Sequence, residues 1–378
     1  MALSKIDVAN MLTGLVPNDN TIRRPNSKPI IINGDMTIAQ RDTSATGKTS
    51  SGYYTCDRIQ FVANDAGTHT VIQETSTSGN AYANGFAEAY RIDCTTADAS
   101  VAADSQLFIK YKVEGRDAQV FKKGTANAEK FTLAFWVKSN KTGTGQVNLR
   151  DEVNTRQCSA TYTISSANTW EHKICNFAAD TTGALPSTNA EGFGIEWYLA
   201  AGSNFTSGTA PTAWEAISNA DSAASLNLAI SGSTDNDFSL TGVQLEVGEY
   251  SSTTLPPFQF ESFEDSLSRC QRYYFRNNAV DNIPFAAGVC NGTTNARAVL
   301  YFPQTMRAAP SLDKSGAGDF KVQIGSAVHD TTNTAFYYPN NDQALLYVDV
   351  SSGLTDGKGC LVIDDGGGSR YLEGSAEI

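Results

Sequence analysis

Aromatic rings set beside side-chain amides are the groups with the clearest chemistry to offer in this 378-residue chain, which holds 4 Trp, 15 Tyr and 18 Phe. A ring face stacks on the apolar face of a pyranose, while neighbouring amides and hydroxyls bond the sugar's hydroxyl groups. The run Phe336-Tyr337-Tyr338-Pro339-Asn340-Asn341-Asp342 reads as an exposed loop tip with adjacent rings and amides. Tyr337, Tyr338 and Asn340 are its candidate ligand-binding residues. Trp214, in the loop-like stretch GTAPTAWEAISN, is a further candidate platform. Trp136 and Trp197 lie in alternating segments and read as core or its support.

Groups suited to catalysis are dispersed. His69, His172 and His329 lack metal-ligand spacing, and none follows a Gly-x-Ser-x-Gly elbow. His172, which follows Trp170 and Glu171 in a predicted strand, reads as structural. Gly366-Gly367-Gly368, between Asp364-Asp365 and the last predicted strand, reads as a turn rather than a phosphate cradle. Adjacent carboxylates such as Asp364 and Asp365 point to opposite faces of a strand. The seven cysteines contain no Cys-x-x-Cys pair and read as buried small hydrophobes. Cys158 and Cys175 lie in adjacent predicted strands, where a hairpin would bring them face to face. The expectation is no catalytic residue and no cofactor beyond a structural calcium held by carbonyl and carboxylate oxygens, for which the sequence names no ligands.

Charge excludes further classes. Lys and Arg total 28 against 40 Asp and Glu, a net charge of −12. The basic pairs Arg23-Arg24 and Lys122-Lys123 fall short of the cationic cluster that a nucleic-acid binder needs. No apolar stretch approaches the roughly 18–20 residues that cross a bilayer as a helix. The opening MALSKIDVANMLTGLV lacks a basic run before its apolar residues, so the expectation is synthesis in a cytoplasm.

The elements that must position these groups are strands. Charged residues make up 18% of the chain, against about 25% in an average domain, and Ser, Thr, Asn and Gly replace them. Leu107, Ile109, Tyr111 and Val113 alternate with polar or outward residues, as do Phe131 to Val137, Phe193 to Leu199 and Val243 to Val247. The predicted fold is all-β, with two antiparallel β-sandwiches of jelly-roll type. Residues 29–250 form the first, 251–275 a helical connector, and 276–378 a smaller second sandwich. Within SFEDSLSRCQRYY, Ser262 is placed to cap a helix, with Asp265 three residues later. Residues 1–28 stand apart. Ile6, Val8, Met11, Leu12 and Leu15 are spaced as on a short amphipathic helix with too little apolar surface to fold alone, which suits either a frayed terminus or a docking segment that orders on a partner.

Several stretches resemble a known family. PIIINGDMTIAQRDTS with GYYTCDRIQF resembles the opening of the carbohydrate-binding-module-like jelly rolls of bacteriophage tail fibre and virion appendage proteins. FTLAFWVKSNKTGTG resembles their central strand. FSLTGVQLEVGEYSSTTLPPFQFESFEDSLSRCQRYYFR is similar to the block that ends the jelly roll, and VLYFPQTMRAAPSL and YLEGSAEI to the small β-domain that follows. The resemblance runs from Pro29 onward. Where the family carries Trp after its Asp-Arg pair and before its Gln-Arg pair, this chain has Ile59 and Ala39, which read as core packing.

This resemblance implies a non-enzymatic virion structural protein, a tail fibre or receptor-binding appendage. It implies a homotrimer that recognises bacterial surface polysaccharide and attaches to other virion proteins through Ile6, Val8, Met11, Leu12 and Leu15. Two alternatives stay open: a capsid-decorating or tail-assembly protein without a receptor, and a polysaccharide depolymerase.

Overall fold

The computed structural model describes residues 28–279, 284–316, 318–365 and 370–378. The expected docking residues Ile6, Val8, Met11, Leu12 and Leu15, the pair Arg23-Arg24 and the run Gly366-Gly367-Gly368 lie outside the described residues.

Among the described residues the chain is almost entirely antiparallel β. The first unit carries β1 (Ser44–Lys48), β2 (Ile59–Asn64), β3 (Thr68–Thr75), β4 (Glu88–Thr96), β5 (Gln106–Glu114) and β6 (Phe131–Ser139). It continues with β7 (Gly143–Asp151), β8 (Arg156–Ile164), β9 (Glu171–Phe177), β10 (Glu191–Ala201), β11 (Glu215–Ala216) and β12 (Asp237–Val247). These form two six-stranded sheets, ordered β1-β3-β4-β12-β6-β9 and β11-β8-β7-β10-β5-β2. The alternation read from the sequence sends Leu133, Phe135 and Val137 of β6 inward to meet Ile109, Ile195 and Trp197 of the facing sheet. Phe135 meets both Trp197 and Tyr162 edge-on, at 5.9 and 5.1 Å between ring centroids.

The outer face of the first sheet departs from simple alternation. Thr132, Ser239 and Thr241 point outward yet are buried. The chain leaving β12 crosses over Thr132 and Gln244: Tyr250 N donates to Thr132 Oγ1 at 3.1 Å, and Gln244 Nε2 donates to the Pro256 carbonyl at 2.9 Å. Ser239 donates to Glu74 Oε2 at 2.9 Å and Thr241 to the Glu88 carbonyl at 2.6 Å. No hairpin joins Cys158 and Cys175. β8 and β9 belong to opposite sheets, so the two buried, free thiols enter the core from opposite sides and not across a hairpin.

Helix α1 (Gly79–Ala83) and helix α2 (Ser203–Thr206) are single turns in the loops of this unit. The connector carries α3 (Phe263–Gln271). Ser262 Oγ caps it by accepting from Asp265 N at 3.1 Å, and Glu264 and Asp265 complement the positive end of its dipole. Nine residues do not sustain a helix alone. Packing of Leu267 and Cys270 against Ile32, Ile38 and Tyr273 holds it between the two units.

The second unit carries β13 (Tyr274–Asn278), β14 (Ala286–Cys290), β15 (Asn295–Tyr301), β16 (Ser311–Lys314) and β17 (Phe320–Ile324). After them come β18 (Ala327–Tyr337), β19 (Gln343–Val350), β20 (Gly359–Asp364) and β21 (Tyr371–Ser375). The structure refines the expected small sandwich. Six strands close into a barrel, β14-β15-β19-β18-β17-β20, while β13, β21 and β16 form a separate three-stranded sheet. Small inward residues make closure feasible: Ala286, Ala296, Ala298 and Ala344 line a core completed by Leu346, Val348 and Val362. Gly288 lets β14 approach β15 closely, since a Cβ there would lie 2.0 Å from the Arg297 carbonyl oxygen.

Candidate functional site

The outward face of three barrel strands gathers tyrosines. In β19 burial alternates strictly, so Ala344, Leu346, Val348 and Val350 point inward and Gln343, Leu345, Tyr347 and Asp349 outward. In β15 the outward set is Arg297, Val299 and Tyr301. The ladder sets Arg297 and Ala335 on either side of Tyr347, Val299 and Tyr337 on either side of Leu345, and Tyr301 opposite Gln343. Diagonal neighbours on one face of a sheet lie within reach of aromatic side chains. The Tyr337 and Tyr347 rings accordingly meet at 5.4 Å and 69°. Tyr338 continues the ladder, 6.0 Å from Tyr337, and the Arg297 guanidinium lies 5.1 Å from the Tyr347 ring centroid at the other end.

This wall is open to solvent. Tyr338 is 83% exposed, Tyr301 70% and Tyr337 46%. Tyr338 also has φ 52°, the left-handed region that L-residues with bulky side chains avoid at a cost of about 1–2 kcal/mol. A strained, solvent-facing aromatic residue is poorly explained by packing.

Asn340, expected as a ligand, instead builds the turn. Its Oδ1 accepts from Asp342 N at 2.8 Å and Gln343 N at 2.9 Å, and Thr305 Oγ1 donates to Asp342 at 2.6 Å. Asp349, the next outward residue after Tyr347, accepts from Asn295 Nδ2 at 2.7 Å and Asn333 Nδ2 at 3.1 Å.

Trp214 is not part of this wall. It lies at the edge of the first unit, where its Nε1 donates to the Ala178 carbonyl at 2.8 Å and its ring packs on Phe131. Lys123 Nζ sits over that ring, 4.8 Å from the centroid. The loop-like sequence suggests a free platform, but the indole closes the end of the core. Lys123 in turn fills an oxygen cage of the kind calcium uses. Its buried ammonium meets Asp151, Asp180 Oδ2 at 3.0 Å, and the carbonyls of Thr182 and Gly183 at 3.3 and 3.0 Å.

The amide-rich outer face of the second sheet is occupied by the chain itself. Gln146 Nε2 donates to the Asp221 carbonyl and Asn148 Nδ2 to the Ser222 carbonyl, both at 2.7 Å. The stacked pair Phe108–Tyr198 lies beneath Phe205 and Ala223 of the same covering loop. Among the described residues, no group of three or more His, Cys, Asp or Glu is arranged to hold a metal ion.

Tyr301, Tyr347, Arg297 and Gln343 are site residues the sequence reading omits. Their signal is present but ambiguous, because AVLYF and ALLYVDV are apolar in both phases of the strand period.

No family model matches the chain, and no curated protein matches it in sequence. Among solved structures it is similar to the enzymatically active domain of tailspike protein 4 of bacteriophage CBA120. Identity there is 10% and the TM-score 0.28, over 58% of this chain and 21% of that one. It is also similar to the family 11 carbohydrate-binding module of the cellulosomal cellulase Lic26A-Cel5E of Clostridium thermocellum, at 8% identity and a TM-score of 0.27, over 55% and 97%. The tandem CBM22-1-CBM22-2 domain of Paenibacillus barcinonensis Xyn10C matches at 10% identity and a TM-score of 0.24, over 93% and 98%. This chain thus spans about a fifth of the tailspike domain. Likeness at these TM-scores assigns neither ligand nor activity to this chain.

Proposed function

We propose that this protein binds glycans without cleaving them, through the tyrosine wall of its barrel. The observation that carries this reading is Tyr338, 83% exposed and held at φ 52° at the end of a ladder of rings. Tyrosine offers an apolar face to a pyranose and a hydroxyl to its rim. A shallow wall accommodates an extended polymer lying along it. Glycoside hydrolysis calls for two carboxyl groups flanking the bond, and the wall's own carboxylate, Asp349, is taken up by two amides.

In this reading the chain belongs to a bacteriophage particle, as a homotrimeric tail fibre or receptor-binding appendage directed at bacterial surface polysaccharide. That setting rests on the resemblance of its sequence blocks to virion appendages. Three shallow sites on one assembly would gain avidity through effective concentration without any new contact.

Titration against host surface polysaccharide tests the proposal. Truncating an aromatic anchor costs more than 1 kcal/mol, so Tyr337→Ala and Tyr338→Ala should each weaken binding about tenfold. Wild-type affinity in both variants would remove the wall from the site. New reducing ends released from the polysaccharide would replace binding by depolymerisation.

A further inference from the structure

We infer that the wall is built for an acidic polysaccharide, with Arg297 reading a sugar carboxylate. The inference rests on the glycan reading above and names the class of glycan.

Arg297 is an outward, exposed residue of β15, lying across the ladder from Tyr347 on one side and from Val289 on the other. Its guanidinium carbon lies over the Tyr347 ring, 5.1 Å from the centroid. A guanidinium beside a ring retains in-plane donors suited to holding a carboxylate in a two-pronged fashion. Among the described residues Arg297 has no ion pair. The acid best placed to quench it, Asp349, is bonded instead by Asn295 and Asn333. The strands thus keep an unpaired cation beside exposed rings and hold the neighbouring anion apart from it.

The charge of the whole chain shows what this cation is for. At −12 the protein repels an acidic polymer at long range. At 0.15 M salt that repulsion is screened beyond about 8 Å, so it slows approach more than it opposes contact. A lone guanidinium on such a surface does not steer. It discriminates, because its hydrogen bonds to a carboxylate form only at contact.

The test uses the full chain and fragments of polygalacturonate, alginate and hyaluronate, each beside its carboxyl-reduced neutral counterpart. Calorimetry should find at least one acidic fragment bound about tenfold or more tightly than its reduced form, as charged hydrogen bonds predict. Arg297→Gln should abolish that preference, so that the acidic form binds no more tightly than its reduced counterpart, and Arg297→Lys should restore part of it. Tyr338→Ala should weaken both forms alike. Equal binding of acidic and reduced forms, or a preference that survives Arg297→Gln, overturns the inference and leaves the glycan reading standing. Binding of neither form, nor of the host polysaccharide in either state, overturns both.

Discussion

Arg58 and Glu377 stand 319 residues apart in the chain and form a buried ion pair where the two units meet, with side chains 1% and 6% exposed. Arg58 lies flat on Tyr273, 3.5 Å from the ring centroid, and donates to the Lys112 carbonyl at 2.9 Å. Arg41 repeats the arrangement on Tyr274, again at 3.5 Å, and reaches the other oxygen of Glu377 at 3.3 Å. Arg307 donates to the Glu377 carbonyl at 3.0 Å and to the Asn189 carbonyl at 3.0 Å. One carboxylate therefore receives a cation from each of two first-unit segments, and its own backbone is tied to the same unit.

Glu377→Ala should be costly. It leaves the buried Arg58 guanidinium without its carboxylate and Arg41 with Asp57 alone, at 3.6 Å, and breaking a buried pair costs about 3–5 kcal/mol. Urea unfolding should show that loss, with the single transition splitting into two as the units separate. A loss under about 1 kcal/mol would mean that the apolar contacts of α3, and not this clamp, hold the units together.

Asp57 makes the clamp sensitive to pH. Burial pushes its carboxyl up to about 7, against the pull of Arg41 and the Gln40 hydrogen bonds. Between about pH 4 and pH 7 the folded chain keeps a proton that the unfolded chain has released. Its contribution is therefore full below pH 4 and is lost as pH rises through 7. His69 acts the other way. Burial lowers its pKa to about 4, so its contribution is present above about pH 6.5 and lost as pH falls. The wild-type profile mixes the two, and a single variant separates them. Asp57→Asn imitates the protonated carboxyl, so it should match wild type at about pH 4 and exceed it by a margin that opens between pH 4 and pH 7, reaching roughly 4 kcal/mol at pH 8. A pH-independent difference in urea midpoints would show that Asp57 is ionised in the fold.

Lys123 should prove replaceable by a metal ion. Lys123→Ala leaves the buried Asp151 and Asp180 carboxylates without their shared cation and should cost about 3–5 kcal/mol. The oxygens left behind, two carboxylates and the Thr182 and Gly183 carbonyls, suit calcium. Millimolar calcium should raise the melting temperature of Lys123→Ala and leave wild type unchanged. An equal rise in both proteins would place the ion elsewhere.

The sequence exposes local features and hides those decided at a distance. The Ser262-x-x-Asp265 cap is local, and α3 begins where it says. The alternation in β5, β6 and β10 is local too, and it identifies the residues that fill the core. β18 is invisible because two of its inward positions are Thr331 and Thr334, so hydroxyls stand where the period-two signal needs hydrocarbon. Thr331 Oγ1 meets its need by donating to the Phe320 carbonyl at 2.8 Å. Trp214 sits in loop-like sequence, and only the folded Ala178 carbonyl decides that its indole turns inward. The pairs Gln40-Arg41 and Asp57-Arg58 stand out as motifs, yet no spacing shows that their shared partner is Glu377.

Tyr338→Gly separates function from stability within one residue. Glycine adopts φ 52° freely, which relieves about 1–2 kcal/mol of left-handed strain, and it adds about 0.5–1 kcal/mol of unfolded-state entropy cost. The ring is 83% exposed, so little packing is lost with it. The net expectation is a protein more stable by about 0.5–1 kcal/mol that binds its glycan at least as weakly as Tyr338→Ala does. Such a gain in stability with a loss of binding is the signature of strain kept for a ligand. If Tyr338→Gly instead destabilises the barrel, the ring serves the β18–β19 turn, and the wall loses the residue on which its functional reading rests.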